Sequence, residues 1–196
     1  MKQFFYFTLL ATILIFGGCE KAKKENPVKK SGNTIQTKAK EKLSKAENSV
    51  MTEEITLHGV NGEKVTFIKK GSDIKLKDND KAILLDFFAT WCPPCKAEIP
   101  HLTNLQNRYK KDLKIISILL EDDKPDIEIK NFIKFNHINY TITNGGSNFT
   151  FSNMLGGVSK IPFMILYDKN GEKVTSYLGA VPEEMIESDI KKAIGK

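Results

Sequence analysis

The sequence predicts an α/β domain with a mixed central sheet, and three observations lead to this class. Two near-continuous apolar runs, residues 82–88 and 113–120, are bounded by turn signals, which is typical of strands buried on both faces of a parallel sheet. Each run is followed by a segment with apolar residues at helical spacing. Residues 161–178 then form two strand-like runs around an Asp-Lys-Asn-Gly turn, which predicts a hairpin. Strands that alternate with helices and end in a hairpin give a mixed sheet flanked by helices.

The other elements of the domain follow from local patterns. Residues 53–58 and 64–68 alternate like strands around a Gly-Val-Asn-Gly turn, so we expect an N-terminal β-hairpin. The polar residues 69–81 predict a loop. Three more helices and one short strand complete the set: helices at residues 127–135, 149–155 and 182–195, and a strand at 139–143.

The turn after the first apolar run carries two cysteines, Cys92 and Cys95, separated by two prolines. Proline is tolerated in the first turn of a helix, so Cys92 is predicted at a helix N-cap with Pro93 and Pro94 directly after it. A thiol in that position is exposed to the positive end of the helix dipole, which favours the thiolate. Residues three apart are neighbours on a helix surface, so the two sulfur atoms can form a disulfide. The turn therefore predicts a redox dithiol.

The N-terminus has the pattern of a targeting segment. The apolar run at residues 4–16 follows a short charged start and is too short to span a bilayer comfortably. Two glycines then precede Cys19, so residues 1–18 resemble a bacterial lipoprotein signal in which the cysteine after the cleavage site is lipidated. This interpretation accounts for the third cysteine. The alternative is an ordinary signal peptide that leaves a spare thiol.

Residues 19–50 are predicted to be a disordered tether, because they contain nine Lys and four Glu and almost nothing to bury. The formal net charge of +6 lies wholly before residue 51, so the domain predicted for residues 51–196 has a net charge of zero. We therefore expect no nucleic-acid partner, which would need a basic face on the domain itself. The lysines of the tether suit an anionic membrane surface, and a solvated spacer is the alternative.

Four features in register resemble the thioredoxin active site. They are the Trp91-Cys-x-x-Cys95 motif after a buried strand, Asp86 six residues before the first cysteine, Pro100 five residues after the second, and the later pair Ile161-Pro162. Three further segments make the resemblance more specific. They are Asn61-Gly-Glu-Lys-Val65, Lys96-x-Glu98-x-Pro100 and Asp168-Lys-Asn-Gly171. The domain is similar to the TlpA/ResA branch of membrane-anchored thioredoxin-like proteins, which implies a thioredoxin-like fold and thiol–disulfide exchange.

The resemblance implies a role for each cysteine. Cys92 is expected to be the exposed nucleophile that forms a mixed disulfide with the target, and Cys95, lying deeper, resolves it. Cys95 must lose a proton, and two acids are candidates for the base. Asp86 is expected to be buried beneath the turn with a raised pKa. Glu98 lies one turn beyond Cys95 on the same helix face, with an ordinary surface glutamate as its alternative.

The resemblance also implies a surface for substrates. Pro162 corresponds to the cis-proline that faces the cysteines in this superfamily, where it would expose the Ile161 main chain to an extended substrate. The alternative is a trans proline that begins an edge strand. Trp91 is expected to cover the disulfide as an apolar contact surface.

Other functions fit the sequence less well. A zinc site would need His58, His101 or His137 beside the two cysteines, and their spacing is unlike that of structural zinc ligands, so we expect neither metal nor cofactor. A thiol peroxidase and a binding lipoprotein without catalysis remain alternatives. So do disulfide oxidation and isomerisation.

We expect a reductase, because Pro93 and Pro94 bring no N–H groups to stabilise a Cys92 thiolate. The resemblance to TlpA/ResA proteins implies the partners, which are protein substrates with disulfides, such as apocytochromes c, and a transmembrane thiol carrier that donates electrons. The expected location is the membrane, by a lipid anchor, with the domain facing the periplasm.

Overall fold

The computed structural model describes residues 51–122 and 124–196. The predicted signal segment, Cys19 and the predicted tether lie outside the described residues. Within the described residues the strands are β1 (Thr52–Gly59), β2 (Lys64–Lys70), β3 (Asp73–Leu76), β4 (Ala82–Phe88), β5 (Leu113–Leu119), β6 (Thr141–Asn144), β7 (Phe163–Tyr167) and β8 (Lys173–Leu178). The helices are α1 (Pro93–Tyr109), α2 (Asp126–Phe135), α3 (Ser147–Met154) and α4 (Glu183–Ala193).

The strands form one mixed sheet in the order β3-β2-β1-β6-β5-β4-β7-β8. β4 and β5 pair in parallel, as do β5 and β6, whereas β7 pairs with β4 in the antiparallel direction. The N-terminal hairpin joins this centre through a short contact between β1 and β6. The predicted α/β class, mixed sheet and N-terminal hairpin are confirmed.

Alternation along β4 divides the core between the two faces of the sheet. Ala82, Leu84 and Phe88 belong to one apolar cluster, together with buried residues of α1, α2 and α4. Ile83, Leu85 and Phe87 belong to the other, which includes Phe151 of α3 and residues of the hairpin. Since side chains alternate along a strand, Asp86 lies on the same face as Leu84 and Phe88, beneath α1.

One element departs from the sequence prediction. Residues 69–81 were expected to be a loop, but they contain β3, which pairs with β2 and forms an edge of the sheet. The Ile74 N–H donates to the Gly171 carbonyl oxygen at 2.9 Å, so β3 also contacts the turn between β7 and β8. A four-residue strand with Asp and Lys at alternate positions has little apolar signal, and this distant contact helps to hold it.

α1 and α4 are joined by polar contacts along their exposed edges. Arg108 pairs with Glu187 at 2.8 Å and with Glu183 at 3.3 Å, and the Tyr109 hydroxyl donates to Glu187 at 2.6 Å. These contacts hold α4 against the helix that begins at the cysteines. None of the helices in the described residues is both long enough and apolar enough to cross a bilayer.

Candidate active site

The two cysteines form a disulfide at the start of α1. The S–S distance is 2.08 Å and the Cα atoms are 5.3 Å apart. Cys92 is the N-cap residue, Pro93 and Pro94 occupy the first two helical positions, and the Cys95 N–H donates to Cys92 Sγ at 3.3 Å. The predicted N-cap, proline positions and disulfide are therefore confirmed.

The expected difference in exposure between the cysteines is not seen in this disulfide form. Cys92 is 3% exposed and Cys95 is 4% exposed, so both are buried. The prediction that Cys92 is the exposed one is wrong for this state. Its backbone N–H bonds the Ala89 carbonyl at 3.1 Å, and its sulfur is bonded to Cys95 against the first turn of α1. Trp91, directly before it, is 65% exposed and offers an apolar surface beside the disulfide.

The loop that carries Trp91 is held by a carboxylate from β5's C-terminal end. The Thr90 N–H donates to Glu121, and Lys124 pairs with the other oxygen of this carboxylate at 2.9 Å. Burial alone would raise the pKa of Glu121, but the hydrogen bonds from Lys124 and Thr90 outweigh it and hold that pKa below its usual range. We did not predict this contact from the sequence, although Glu121 lies two residues after β5, the strand beside β4, and that position was the available signal.

Asp86 lies in the middle of β4 and is buried, as predicted. Burial raises the pKa of Asp86 to about 6, and a hydrogen bond from Ser117 opposes the rise. That bond runs from Ser117 Oγ to Asp86 Oδ2 at 2.6 Å. Ser117 is the residue directly beside Asp86 on the parallel strand β5. The sequence predicted the buried acid but not its partner.

Glu98 is 2% exposed, so the surface-glutamate alternative is wrong. Its Oε1 accepts a hydrogen bond from the Val181 N–H at 2.9 Å, whereas its Oε2 is buried and has no partner among the described residues. Burial raises the pKa of Glu98 to about 7, the Val181 bond opposes that rise, and the charge of Asp86 adds to it. The last effect shows that the two acids belong to one electrostatic site.

Tyr140 is a third titratable group at this site, and we did not predict it. Its side chain belongs to the same apolar cluster as Cys92 and Cys95. Burial raises the pKa of Tyr140 well above its usual value, the negative charges of Asp86 and Glu98 add to the rise, and a hydrogen bond with Ser117 opposes it. The core beneath α1 therefore contains, with the two cysteines, three groups whose charged forms burial disfavours.

The peptide bond between Ile161 and Pro162 is cis, as predicted. The Pro162 carbonyl accepts from the Gly179 N–H at 2.8 Å. The Ile161 main chain pairs with no other main-chain group among the described residues. Ile161 also packs against the cluster that contains the two cysteines, and it forms one end of a groove of about 520 Å³ bordered by the end of α3 and residues 156–160.

The three histidines do not gather with the cysteines. Among residues 51–122 and 124–196, no group of three His, Cys, Asp or Glu side chains is arranged to hold a metal ion.

Comparison with known proteins agrees with the assignment of a redox site to Cys92 and Cys95. The family model described as Redoxin matches residues 30–194. The chain belongs to the Redoxin family. A thiol-disulfide oxidoreductase ResA of Bacillus thuringiensis subsp. konkukian is 35% identical over 127 residues, which cover 63% of this chain and 70% of that relative. Within the family the chain is therefore of the thioredoxin-like TlpA/ResA type.

Solved structures share the fold. A DsbF homologue from Corynebacterium diphtheriae superposes with a TM-score of 0.60 at 23% identity, covering 72% of this chain and 85% of that one. StoA from Bacillus subtilis gives a TM-score of 0.56 at 19% identity, with 72% and 98% covered. The thioredoxin-like fold is thus confirmed.

Proposed function

We propose that the chain is a thiol-disulfide oxidoreductase that reduces disulfides in protein substrates through Cys92 and Cys95. One observation carries the proposal: a disulfide at the N-terminus of α1 lies in the same buried site as two carboxylic acids. The activity named for the Bacillus thuringiensis relative is of the same kind.

The reaction transfers two electrons from the protein to its target. The Cys92 thiolate attacks a target disulfide, forms a mixed disulfide, and displaces one target sulfur, which takes up a proton. Cys95 then loses its proton and attacks the Cys92 sulfur. The Cys92–Cys95 disulfide forms, and the second target thiol is released. A dithiol donor reduces Cys92–Cys95 again by the same exchange in reverse.

Glu98 is the acid that we propose as the proton acceptor for Cys95. The two residues are three positions apart in α1, so their side chains project to the same face of the helix. Glu98 Oε2 is fully buried and has no hydrogen-bond partner among the described residues. Asp86 belongs to β4 rather than to α1, and its Oδ2 accepts from Ser117. A pKa of about 7 allows Glu98 both to accept and to return a proton near neutral pH.

Substrate contact is assigned to Trp91, Ile161 and Pro162. Trp91 supplies exposed apolar area directly beside Cys92. The main chain of Ile161, with no main-chain partner among the described residues, can pair with an extended segment of the target. Such pairing would place a target sulfur opposite Cys92.

The direction in which we propose that electrons move, from the protein to its target, is inferred from Pro93 and Pro94. A helix N-terminus stabilises a thiolate mainly through its free N–H groups. Pro93 and Pro94 have none, and the Cys95 N–H is the one that reaches Cys92 Sγ in this turn. A weakly stabilised thiolate makes the reduced dithiol less stable, so the couple donates electrons readily.

We further propose that Cys19 carries a lipid anchor and that residues 19–50 tether a domain formed by residues 51–196. The domain then faces the periplasm, receives electrons from a transmembrane thiol carrier, and reduces targets such as the haem-attachment cysteines of apocytochromes c. The support is the short apolar run that ends at Cys19, the lysine-rich segment after it, and the resemblance to TlpA/ResA proteins.

The roles of the two cysteines are tested by trapping. We expect Cys95→Ser to accumulate mixed disulfides between Cys92 and its targets, because the resolving thiol is absent. The matched variant Cys92→Ser should accumulate few. Both are measured on non-reducing gels after rapid alkylation, with reduction of insulin by the unmodified protein as the activity control. Equal trapping by the two variants would contradict the assignment.

The anchor is tested separately. Cys19→Ala should release the protein from membranes or block its processing, because the acceptor for the lipid is lost. Membrane fractionation and the mass of the mature protein measure this. A fully processed variant that still sediments with membranes would show that Cys19 is not the anchor.

A further inference from the structure

Ser117 is a buried hydroxyl in a strand that is otherwise apolar at its buried positions. β5 has the sequence Leu-Lys-Ile-Ile-Ser-Ile-Leu, and Ser117 is 1% exposed. It alternates in phase with Ile115 and Leu119, which belong to the cluster beneath α1, so its side chain points to the face that carries the cysteines. A buried hydroxyl is unfavourable unless it is hydrogen-bonded. The structure gives it a partner, the carboxyl group of Asp86.

The geometry of this contact is fixed by the sheet. Asp86 and Ser117 are directly opposite each other in the parallel β4–β5 register, and the Oγ–Oδ2 distance is 2.6 Å. On its other side Asp86 is opposite Met164 of β7, which has no group that donates a strong hydrogen bond. Ser117 makes the only side-chain hydrogen bond to Asp86 among the described residues.

Asp86 and Glu98 have no cationic partner in the part of the chain that the structure describes. The charge of Asp86 acts on Glu98, and the charges of both acids act on Tyr140, which lies in the segment before β6. Cys92 and Cys95, in the same cluster as Tyr140, become titratable thiols once the disulfide is reduced. β7 contributes the apolar Met164. Two carboxylates in such an environment repel, so one ionises before the other.

We propose that Ser117 is a positioning residue for thiol–disulfide exchange: its hydroxyl fixes Asp86 as the acid that ionises first, which keeps Glu98 Oε2 as the group that exchanges a proton with Cys95. This inference rests on the proposed function and adds a residue to it. A hydrogen bond donated to a carboxylate favours its charged form, and the charge on Asp86 then holds the proton on Glu98 to a higher pH. The pKa values of about 6 for Asp86 and about 7 for Glu98 agree with this order.

The first test follows the two acids directly. Carboxyl carbon shifts of Asp86 and Glu98 are measured by NMR against pH in the oxidised wild type, Ser117→Ala and Ser117→Thr. Ser117→Ala should raise the pKa of Asp86 by about one pH unit and lower that of Glu98, because a hydrogen bond to the Asp86 charge is lost and that charge appears later. Ser117→Thr keeps a hydroxyl and should titrate like the wild type.

Thr143→Val is the matched control. Thr143 is also fully buried, and its hydroxyl bonds a main-chain carbonyl, that of Ser117, rather than an acid. Its loss removes a buried hydroxyl at a neighbouring position and should leave the order of the two titrations unchanged. Opposite movements of the two pKa values in Ser117→Ala alone are therefore not expected from a general loss of packing.

The second test measures resolution of a Cys92 mixed disulfide in a single turnover. Since Ser117→Ala is expected to lower the pKa of Glu98, the rate of resolution should rise at a lower pH in this variant. In Ser117→Thr and Thr143→Val the rate should rise at the same pH as in the wild type. Unchanged titrations or an unchanged rate profile in Ser117→Ala, with a competent wild type, would overturn the positioning role alone. A wild type that cannot resolve the mixed disulfide would overturn the proposed function, and this role with it.

Discussion

At the scale of single residues, Asp86 and Glu98 differ in what their oxygen atoms contact. Asp86 accepts one hydrogen bond, from Ser117 on the neighbouring strand, and Glu98 accepts one, from the Val181 N–H. The second oxygen of Glu98 is fully buried and has no partner among the described residues. Both are buried, and both have raised pKa values. Glu98 lies on the same helix face as Cys95 and has a carboxylate oxygen that accepts no hydrogen bond from a described residue. It is therefore the better proton acceptor of the two acids.

Glu98→Gln and Asp86→Asn should move the pH profile of resolution in opposite directions. In the wild type the rate should rise through about pH 7 as Glu98 ionises and becomes able to accept the Cys95 proton. Without Glu98 the rise should move towards the ordinary thiol pKa of about 8.5. Asp86→Asn removes the charge that raises the pKa of Glu98, so the rise should move to lower pH. Stopped-flow measurement of mixed-disulfide resolution provides the profiles.

A different outcome would change the assignment. If Asp86→Asn abolished the rise near neutral pH and Glu98→Gln preserved it, Asp86 would be the base.

The sequence predicted some residues of the site and not others, for a physical reason. The cysteines, Asp86 and Glu98 lie within one strand–turn–helix unit, so their spacing alone places them near each other. Ser117, Tyr140 and Val181 come from elements distant in sequence, and their positions depend on strand register and on how the chain returns to α1. Neither can be obtained from spacing.

At the scale of elements, the central strands were predictable because β4 and β5 are near-continuous apolar runs. β3 was not, since two of its four residues are charged and its position also depends on the turn after β7. That turn brings Gly171 against β3. A Cβ atom at Gly171 would lie 2.9 Å from the Ile74 carbonyl oxygen and 2.6 Å from Lys75 Cγ.

We expect Gly171→Ala to lower the free energy of unfolding more than Gly62→Ala does. Both glycines have positive φ, +90° and +93°, so both substitutions strain the backbone by a comparable amount, about 1–2 kcal/mol. No atom lies within 4 Å of a Cβ at Gly62, so Gly171→Ala alone adds a clash with the main chain of β3, roughly 1–3 kcal/mol more. Urea denaturation of the oxidised protein measures the difference. Equal decreases in the free energy of unfolding would show that β3 moves away from the added methyl group without an energetic penalty.

At the scale of the whole molecule, the net positive charge and the redox dithiol belong to different parts of the chain. The excess of lysine lies before residue 51, and the domain that carries the dithiol has no net charge. This division fits a neutral redox domain on a basic tether. The composition of residues 19–50 predicts the tether, and that remains a prediction. Composition could not identify the electron donor or the target, since both are recognised by surfaces.

The central claim is that the Cys92–Cys95 couple donates electrons, and its reduction potential tests this most directly. Equilibration with glutathione or dithiothreitol, followed by Trp91 fluorescence, gives the value. We predict a potential near or below roughly −250 mV, in the range of thioredoxin at about −270 mV, because Pro93 and Pro94 provide no N–H to the Cys92 thiolate. Pro94→His, which restores one N–H, should raise the potential. A wild-type value above about −170 mV, more oxidising than protein disulfide isomerase, would contradict the reductase assignment.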